Sequence, residues 1–212
     1  MLISEIFLSI QGESTYVGIP CIFIRLAGCN LDCTWCDTPY ARTPDEASEA
    51  SVEEVVAEAR KLKPWLVEVT GGEPLLQPET KELTKKLLDL DYRVLIETNG
   101  SVSFEGLDER LVKVVDIKCP SSGHDDVFLM SNVPLITPED EVKFVIGDRG
   151  DYEFAKRFTA EYAGSRTEKI LFAPVRPELE PRVLADWILA DGLSVRLQVQ
   201  MHGYIWADER QR

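Results

Sequence analysis

Short apolar runs alternate with amphipathic stretches along most of the chain. Residues 21–27 (Cys-Ile-Phe-Ile-Arg-Leu-Ala) are almost wholly apolar and stop at Gly28, which predicts a buried strand. Ser51-Val-Glu-Glu54 is a capping box opening a helix, with Val52, Val55, Val56 and Ala59 on one face. The pattern then predicts strands at 65–70, 93–98, 111–117, 141–146, 169–173 and 194–199. Between them it predicts helices from Pro78 to about residue 90, over 152–162 and over 181–190. No long helix is predicted between Pro120 and Glu139, so one unit is abbreviated.

Strands with continuous apolar character, alternating with helices, point to parallel β/α units. About seven such strands in 212 residues predict a single-domain α/β fold, a partial, compressed (β/α) barrel. Gly28, Gly71-Gly72-Glu73-Pro74, Asn99-Gly100 and Lys118-Cys119-Pro120 each follow a strand. That places polar and glycine-rich turns at the C-terminal strand ends, where such folds keep their active sites.

The charge changes the picture only by exclusion. A formal net charge of −14 with no basic run argues against nucleic-acid binding, which needs clustered Lys and Arg. The same acidity suits docking of a basic electron donor. No apolar stretch approaches the ~20 residues of a membrane span. Met1-Leu2-Ile3-Ser4-Glu5 lacks a basic segment leading into an apolar one, so a cytoplasmic location is expected. In that reducing compartment five Cys point to metal or catalysis rather than disulfides.

The cysteines carry the chemistry. Cys29, Cys33 and Cys36 form C-x3-C-x2-C in the loop after the first predicted strand. Three thiolates so placed can each take one iron of a [4Fe–4S] cubane. The fourth iron is left without a local protein ligand and is free for an external one. A tetrahedral zinc site would need a fourth donor, which Cys119, His124 or His202 could supply. Cys21 reads instead as a buried strand residue and Cys119 as a small strand-end residue.

The cysteine spacing, the aromatic Trp35 before Cys36, and Thr70-Gly71-Gly72-Glu73-Pro74 after the second strand resemble the radical S-adenosylmethionine (SAM) superfamily. Paired glycines there let a ligand approach the main chain closely. Narrower blocks run from end to end: Ser9-Ile10-Gln11-Gly12-Glu13, Phe23 to Leu31, Trp35-Cys36-Asp37-Thr38, Glu97-Thr98-Asn99-Gly100, Lys118 to Gly123, and Gln200 to Trp206. These resemble the 7-carboxy-7-deazaguanine synthase family of the queuosine and 7-deazapurine pathway.

The resemblance implies ring contraction of 6-carboxy-5,6,7,8-tetrahydropterin with loss of ammonia, SAM acting as a reusable initiator and Mg2+ being required. It implies contacts to SAM from Trp35, Cys36, Asp37, Gly72, Glu97, Asp116, Ile117, Lys118 and the Ala173-Pro174-Val175 strand end. Substrate contacts would come from Ile10, Gln11, Gly12, Arg25, Thr70 and His202, and Thr38 would offer its hydroxyl to Mg2+. Residues 1–20 would form a substrate-binding extension and 200–212 a tail near the active site. A homodimer and a flavodoxin-like electron donor are likewise implied.

The chain departs from common family patterns at Asp116-Ile117, where some members have Ser-Pro, and at Gly203, where Lys is frequent. Two other readings account for the thiols. A radical SAM activase of a glycyl-radical partner would share the cysteine loop but give no role to Gln11, Gly12, Glu13 and Arg25. An iron–sulfur electron carrier or zinc-binding interaction module would leave Gly71-Gly72-Glu73 and the His202 block without purpose.

Overall fold

The structure, a computed structural model, describes residues 1–206. Its elements in chain order are β1 (Leu2–Ile10), β2 (Pro20–Leu26), β3 (Ser48–Glu49), α1 (Val52–Lys61), β4 (Leu66–Gly71), α2 (Thr80–Asp89), β5 (Arg93–Thr98), β6 (Val112–Ile117), β7 (Glu141–Ile146), α3 (Arg149–Glu161), β8 (Ile170–Pro174), α4 (Pro181–Asp191), β9 (Arg196–Leu197) and α5 (Met201–Ile205). All nine strands join one open sheet, ordered β3-β1-β2-β4-β5-β6-β7-β8-β9. From β2 to β9 every pairing is parallel, while β1 runs antiparallel to both of its neighbours.

Local chemistry explains the helix boundaries. The Ser51 hydroxyl accepts from the Glu54 N–H at 3.3 Å, and the Glu54 carboxylate accepts from the Ser51 N–H at 2.8 Å. Such a cap stabilises a helix by ~1 kcal/mol. Asp148 caps α3 in the same way, accepting from Asp151 N–H at 2.9 Å, so α3 starts three residues before the expected Tyr152. Pro78 lies just ahead of α2 rather than within it, and Gly192 ends α4 with φ 62°.

The expected strands recur, with two differences. Leu2–Ile10 is a nine-residue strand where the sequence pattern predicts only an extension. Glu5 and Ser9 interrupt its apolar run, yet both are buried, 5% and 7% exposed. At the other edge the strand expected over 194–199 contracts to Arg196–Leu197. Residues 120–139 hold only short 3-10 turns, as expected for an abbreviated unit.

Alternation along the strands divides the interior cleanly. Ile22, Ile24, Val67, Val69, Val94, Ile96, Val115, Ile117, Val142 and Phe144 face the helices and form the main core with Val55, Leu83, Leu87, Tyr152 and Leu184. The intervening residues face away from the helices. Lowest among these, Cys21, Phe23, Leu66, Leu95 and Val112 make a second apolar cluster with Phe7, Tyr16 and Ile19.

The β1–β2 loop closes this end. Thr15 donates to Glu141 through its N–H at 2.9 Å and its hydroxyl at 2.5 Å. Arg93 Nε donates to the Tyr16 hydroxyl at 2.8 Å. Glu141 and Arg93 begin their strands, so the loop plugs the N-terminal mouth of the half-barrel. Ser14, at φ 61°, is held by Gln198, which both accepts from its N–H and donates to its carbonyl. Among the described residues no helix is long and apolar enough to cross a membrane.

Candidate active site

Above the apolar floor lies a cavity of about 1000 Å³, walled by β1, β2 and β4 to β7 and roofed by the loops at their C-terminal ends. Cys29, Cys33 and Cys36 line one end of it, all partly buried.

The loop bearing them is anchored on every side. Gly28 N–H and Cys29 N–H donate to the carbonyls of Ala41 and Arg42 at 2.8 and 3.0 Å. The Asn99 amide donates to Asn30 Oδ1 at 3.2 Å, and Asn30 in turn donates to the Ser101 hydroxyl. Thr34 N–H reaches the Ser122 carbonyl, and His124 Nε2 lies 2.7 Å from Asp32 Oδ1. Within the loop the Leu31 N–H donates to Cys29 Sγ at 3.4 Å, and Cys36 N–H donates to the Cys33 carbonyl. Burial raises the Cys29 and Cys33 thiols above their usual range, and Lys118 opposes that rise at both.

The Thr70-Gly71-Gly72-Glu73 turn packs directly on this loop. Gly71 has φ 147°, a conformation that favours glycine, and Gly72 has no room for a side chain. A Cβ at Gly72 would stand 2.2 Å from the Gly28 carbonyl oxygen and 2.8 Å from the Cys29 Cβ. Glu73 is 1% exposed and locks the turn to β5. It accepts from Thr98 Oγ1 at 2.9 Å, Asn99 N–H at 2.7 Å and Leu75 N–H at 3.0 Å.

Charged side chains from three strands and the β1–β2 loop meet in the centre. Lys143 Nζ donates to Glu13 at 2.7 Å and to Glu97, and stands 3.7 Å from Asp116. Thr70 Oγ1 donates to Glu97 at 3.1 Å, and Lys118 pairs with Asp116 at 2.8 Å. Burial pushes the Asp116 carboxyl up, but Lys118 and Lys143 outweigh it and hold the group below its ordinary value. On the β1–β2 side, Glu5 Oε1 accepts from Arg25 Nε and from the Tyr40 hydroxyl, both at 2.8 Å. Gln11 donates to buried Glu68, and Gly12 abuts the ring of His202, where a Cβ would stand 2.3 Å from Nδ1.

The radical SAM superfamily pattern matches residues 23–175, most of the chain. A 7-carboxy-7-deazaguanine synthase of Koribacter versatilis is 44% identical over 99% of this chain and 98% of its own length. One from Chlorobaculum tepidum is 44% identical over 96% and 93% of the two chains. This chain belongs to the 7-carboxy-7-deazaguanine synthase family. The crystal structure of QueE from Escherichia coli, 25% identical, superposes with a TM-score of 0.78 over 95% of this chain and 94% of that one.

Membership in this synthase family implies a [4Fe–4S] cluster and SAM, and the residues present fit both. Three thiols and no fourth share one wall of the cavity; Cys119 also borders it but is buried, 1% exposed. Cys21 sits at the opposite end of β2, roughly 16 Å away at ~3.3 Å per residue. A zinc ion would need its donors gathered around one point at ~2.3 Å from each sulfur. Among the described residues no three His, Cys, Asp or Glu side chains converge in that way. Thiolates on separate irons of a cubane carry no such requirement. Trp35 Nε1 and Asp116 Oδ1, both on the cavity wall, are buried polar atoms with no hydrogen-bond partner, and Gly71 and Gly72 line the same cavity. These are the groups a zwitterionic, nucleoside-bearing ligand would engage.

The cavity gathers nearly all the residues expected from sequence. Ile10, Gln11, Gly12, Arg25, Trp35, Cys36, Asp37, Thr38, Thr70, Gly72, Glu97, Asp116, Lys118, Val175 and His202 line it. Ile117 does not, because β6 alternates and turns it into the helix-side core, 1% exposed. Ala173 and Pro174 are buried in β8 and lie off the cavity wall. Of the expected tail, Gln200, His202 and Gly203 reach the cavity, and residues 207–212 lie outside those described. The sequence pattern assigns no role to Glu5, Glu68, Tyr40 or Lys143, and includes Glu13 only within the Ser9–Glu13 block. A signal existed for two of them: Glu68 and Lys143 each interrupt an apolar strand, and a charge there marks an inward face lined for a ligand.

Proposed function

We propose that this chain converts 6-carboxy-5,6,7,8-tetrahydropterin to 7-carboxy-7-deazaguanine with loss of ammonia, using SAM catalytically. One observation carries the reading: a single cavity is lined both by the three cluster thiols and by a carboxylate clamp, Arg25, with the Gln11 amide. When bound, the cluster and SAM would supply a 5′-deoxyadenosyl radical able to take a hydrogen from the pterin.

The protein's own residues hold the substrate for that event. Arg25 is gripped through Nε by Glu5, which leaves its two terminal NH2 groups free for a substrate carboxylate. Gln11, with an amide that both donates and accepts, faces the pterin ring edge. Gly12 and His202 bound the ring, and Thr70 and Glu97 offer a hydroxyl and a carboxylate above the Lys143 ammonium. Trp35, Asp37, Gly72, Asp116, Lys118 and Val175 form the SAM wall. The β1–β2 plug excludes water from below, so a reactive primary radical would meet only the placed substrate.

Thr38 Oγ1 lies 3.2 Å from Asp37 Oδ1 at the cavity rim, a pair of hard oxygens suited to Mg2+ with the substrate completing its shell. Residues 1–20 serve as the substrate-binding segment, joined on the cavity wall by Gln200, His202 and Gly203. A cytoplasmic homodimer served by a flavodoxin-like donor fits an acidic chain with unpaired thiols.

The test is anaerobic reconstitution with iron and sulfide, then incubation with SAM, reductant, Mg2+ and the carboxypterin. A deazaguanine product by mass is expected, and Cys29→Ala, Cys33→Ala and Cys36→Ala each abolish it. Full activity in any of the three overturns the reading. An activase would bind SAM yet leave the pterin unchanged, and a carrier or zinc module would bind no SAM.

A further inference from the structure

The Gln11 carboxamide is fastened at both ends. Its Oε1 accepts from the Glu13 N–H at 3.0 Å, and its Nε2 donates to Glu68 Oε2. A backbone N–H can only donate, so the amide has one satisfied orientation; a flip would set its NH2 against that N–H. One N–H and one carbonyl lone pair then remain for a ligand, in a fixed order.

Glu68 sits deep in the cavity on the inner face of β4, 5% exposed, beside Phe23 of β2 in register. Below it lies the apolar floor of Leu66, Leu95 and Val112. No other element of the machinery described above uses its carboxyl.

We propose that Glu68 is a positioning residue for substrate recognition, holding the Gln11 amide in the one orientation that matches the donor–acceptor edge of the pterin pyrimidinone. This rests on the pterin reading of the site.

The protonation state of Glu68 bears on how well it does so. The charged and titratable groups facing it are Glu97 of β5, Lys143 of β7, Glu13 of the plug loop and Cys21 of β2. Burial first, and then Glu97 and Glu13, push the carboxyl up to about 8, against Lys143 and the Gln11 hydrogen bond. At neutral pH it is chiefly the neutral acid. Above that value it gains a charge directly beneath the ring, in a cavity already holding Glu13, Glu97 and Asp116.

The experiment compares reconstituted wild type, Glu68→Gln and Glu68→Ala, measuring kcat and KM for the carboxypterin from pH 6.5 to 9.5. Losing the partner of one buried amide N–H is worth about a tenfold rise in KM for Glu68→Ala, with kcat within about threefold of wild type. Glu68→Gln, a permanently neutral isostere, recovers a KM within about threefold of wild type at pH 7. It also removes the rise in KM that wild type shows above pH 8. An unchanged KM in Glu68→Ala, a Glu68→Gln variant as weak as Glu68→Ala, or the same alkaline rise in both wild type and Glu68→Gln overturns the role. Iron content and circular dichroism verify each variant; if Glu68→Ala does not fold, the pH profile of Glu68→Gln decides alone. Wild type that forms no deazaguanine brings down the pterin reading itself, whereas turnover with an indifferent Glu68 refutes only the positioning role.

Discussion

Lys143 balances the charge of the cavity, and its removal has a calculable consequence. Its side chain is 5% exposed and touches Glu13 and Glu97, with Asp116 at 3.7 Å; those three carboxylates are 15%, 28% and 10% exposed. Burial disfavours the ammonium, but the three carboxylates outweigh it and hold its pKa well above the ordinary lysine value. Lys143→Met keeps the length and removes the charge. Deleting one partner of a buried ion pair costs ~3–5 kcal/mol, because the remaining charge stays buried without compensation. Lys118 still pairs with Asp116, and Glu97 keeps some solvent, so the lower end, ~3 kcal/mol, is expected. In a domain of this size ~1 kcal/mol shifts Tm by ~2–4 °C, which gives a fall of about 6–12 °C. Urea and thermal unfolding at pH 7.5 measure it. The pH dependence has a definite sign. A raised lysine pKa stabilises fully below the unfolded value and is lost only as pH rises through the folded one, so the gap between wild type and variant is flat around neutrality. Asp116, held low, loses its contribution as pH falls through its folded pKa, so the gap narrows in acid. Adding Glu97→Gln to Lys143→Met removes one stranded charge and recovers part of the loss. A deficit under ~1 kcal/mol, or a double variant weaker than the single one, refutes the claim that this lysine neutralises the group.

Four further outcomes follow from the geometry. Gly72→Ala forces the turn away from the Gly28 carbonyl and the Cys29 Cβ, so SAM affinity by calorimetry falls at least about tenfold, with reduced iron incorporation. Gly12→Ala drives a Cβ into the His202 ring, and KM for the carboxypterin rises about tenfold or more while SAM affinity stays as in wild type. Glu68→Gln shows a pH-dependent stability gain. The wild-type carboxyl has a raised folded pKa, so wild type loses stability relative to the variant as pH climbs from ~4.5 to about 8, by ~3–5 kcal/mol at most, read from urea midpoints. Thr38→Ala weakens the dependence of turnover on added Mg2+; a magnesium profile matching wild type removes Thr38 from the ligand set.

The parallel half of the sheet was legible because its strands are buried on the helix side and end in glycine. Val67 and Val69, or Val94 and Ile96, are recognisable wherever they stand, and Gly28 and Gly71 mark where the strands stop. The cysteine loop was legible because thiolate spacing is a local property of the chain. β1 was not, since Glu5, on the cavity wall, and buried Ser9 spoil the apolar run that would reveal a strand. The site hid the strand that builds it. Glu68 and Lys143 are hidden for the converse reason: within Leu-Val-Glu-Val-Thr and Glu-Val-Lys-Phe-Val-Ile the apolar neighbours dominate the pattern. Their partners come from other strands, so no local pattern could show that the charges meet.

The substrate end of the cavity depends on parts of the chain nearly its whole length apart. Met201 N–H donates to the Gly12 carbonyl at 3.0 Å, Gln200 Nε2 donates to Glu13 Oε1 at 2.7 Å, and Gln198 clasps Ser14. Contacts of such long sequence separation carry the greatest loop-closure entropy and form only on an assembled sheet. The cluster loop needs less, since its anchors at Ala41, Arg42, Asn99 and Ser122 all lie on segments that end just after β6. The Gly12–His202 side of the cavity is thus assembled by the two extremities of the chain, whereas the cluster loop is held by its middle; β2 and β4, through Arg25 and Thr70, join the two. A lesion at the Gly12–His202 contact therefore separates the two functions: the cofactor end persists while the pterin end opens. That separation follows from topology, because the Gly12–His202 contact is held by residues 11–14 and 198–202, and the hydrogen bonds that anchor the cysteine loop come from 41–42, 99–101 and 122–124 instead.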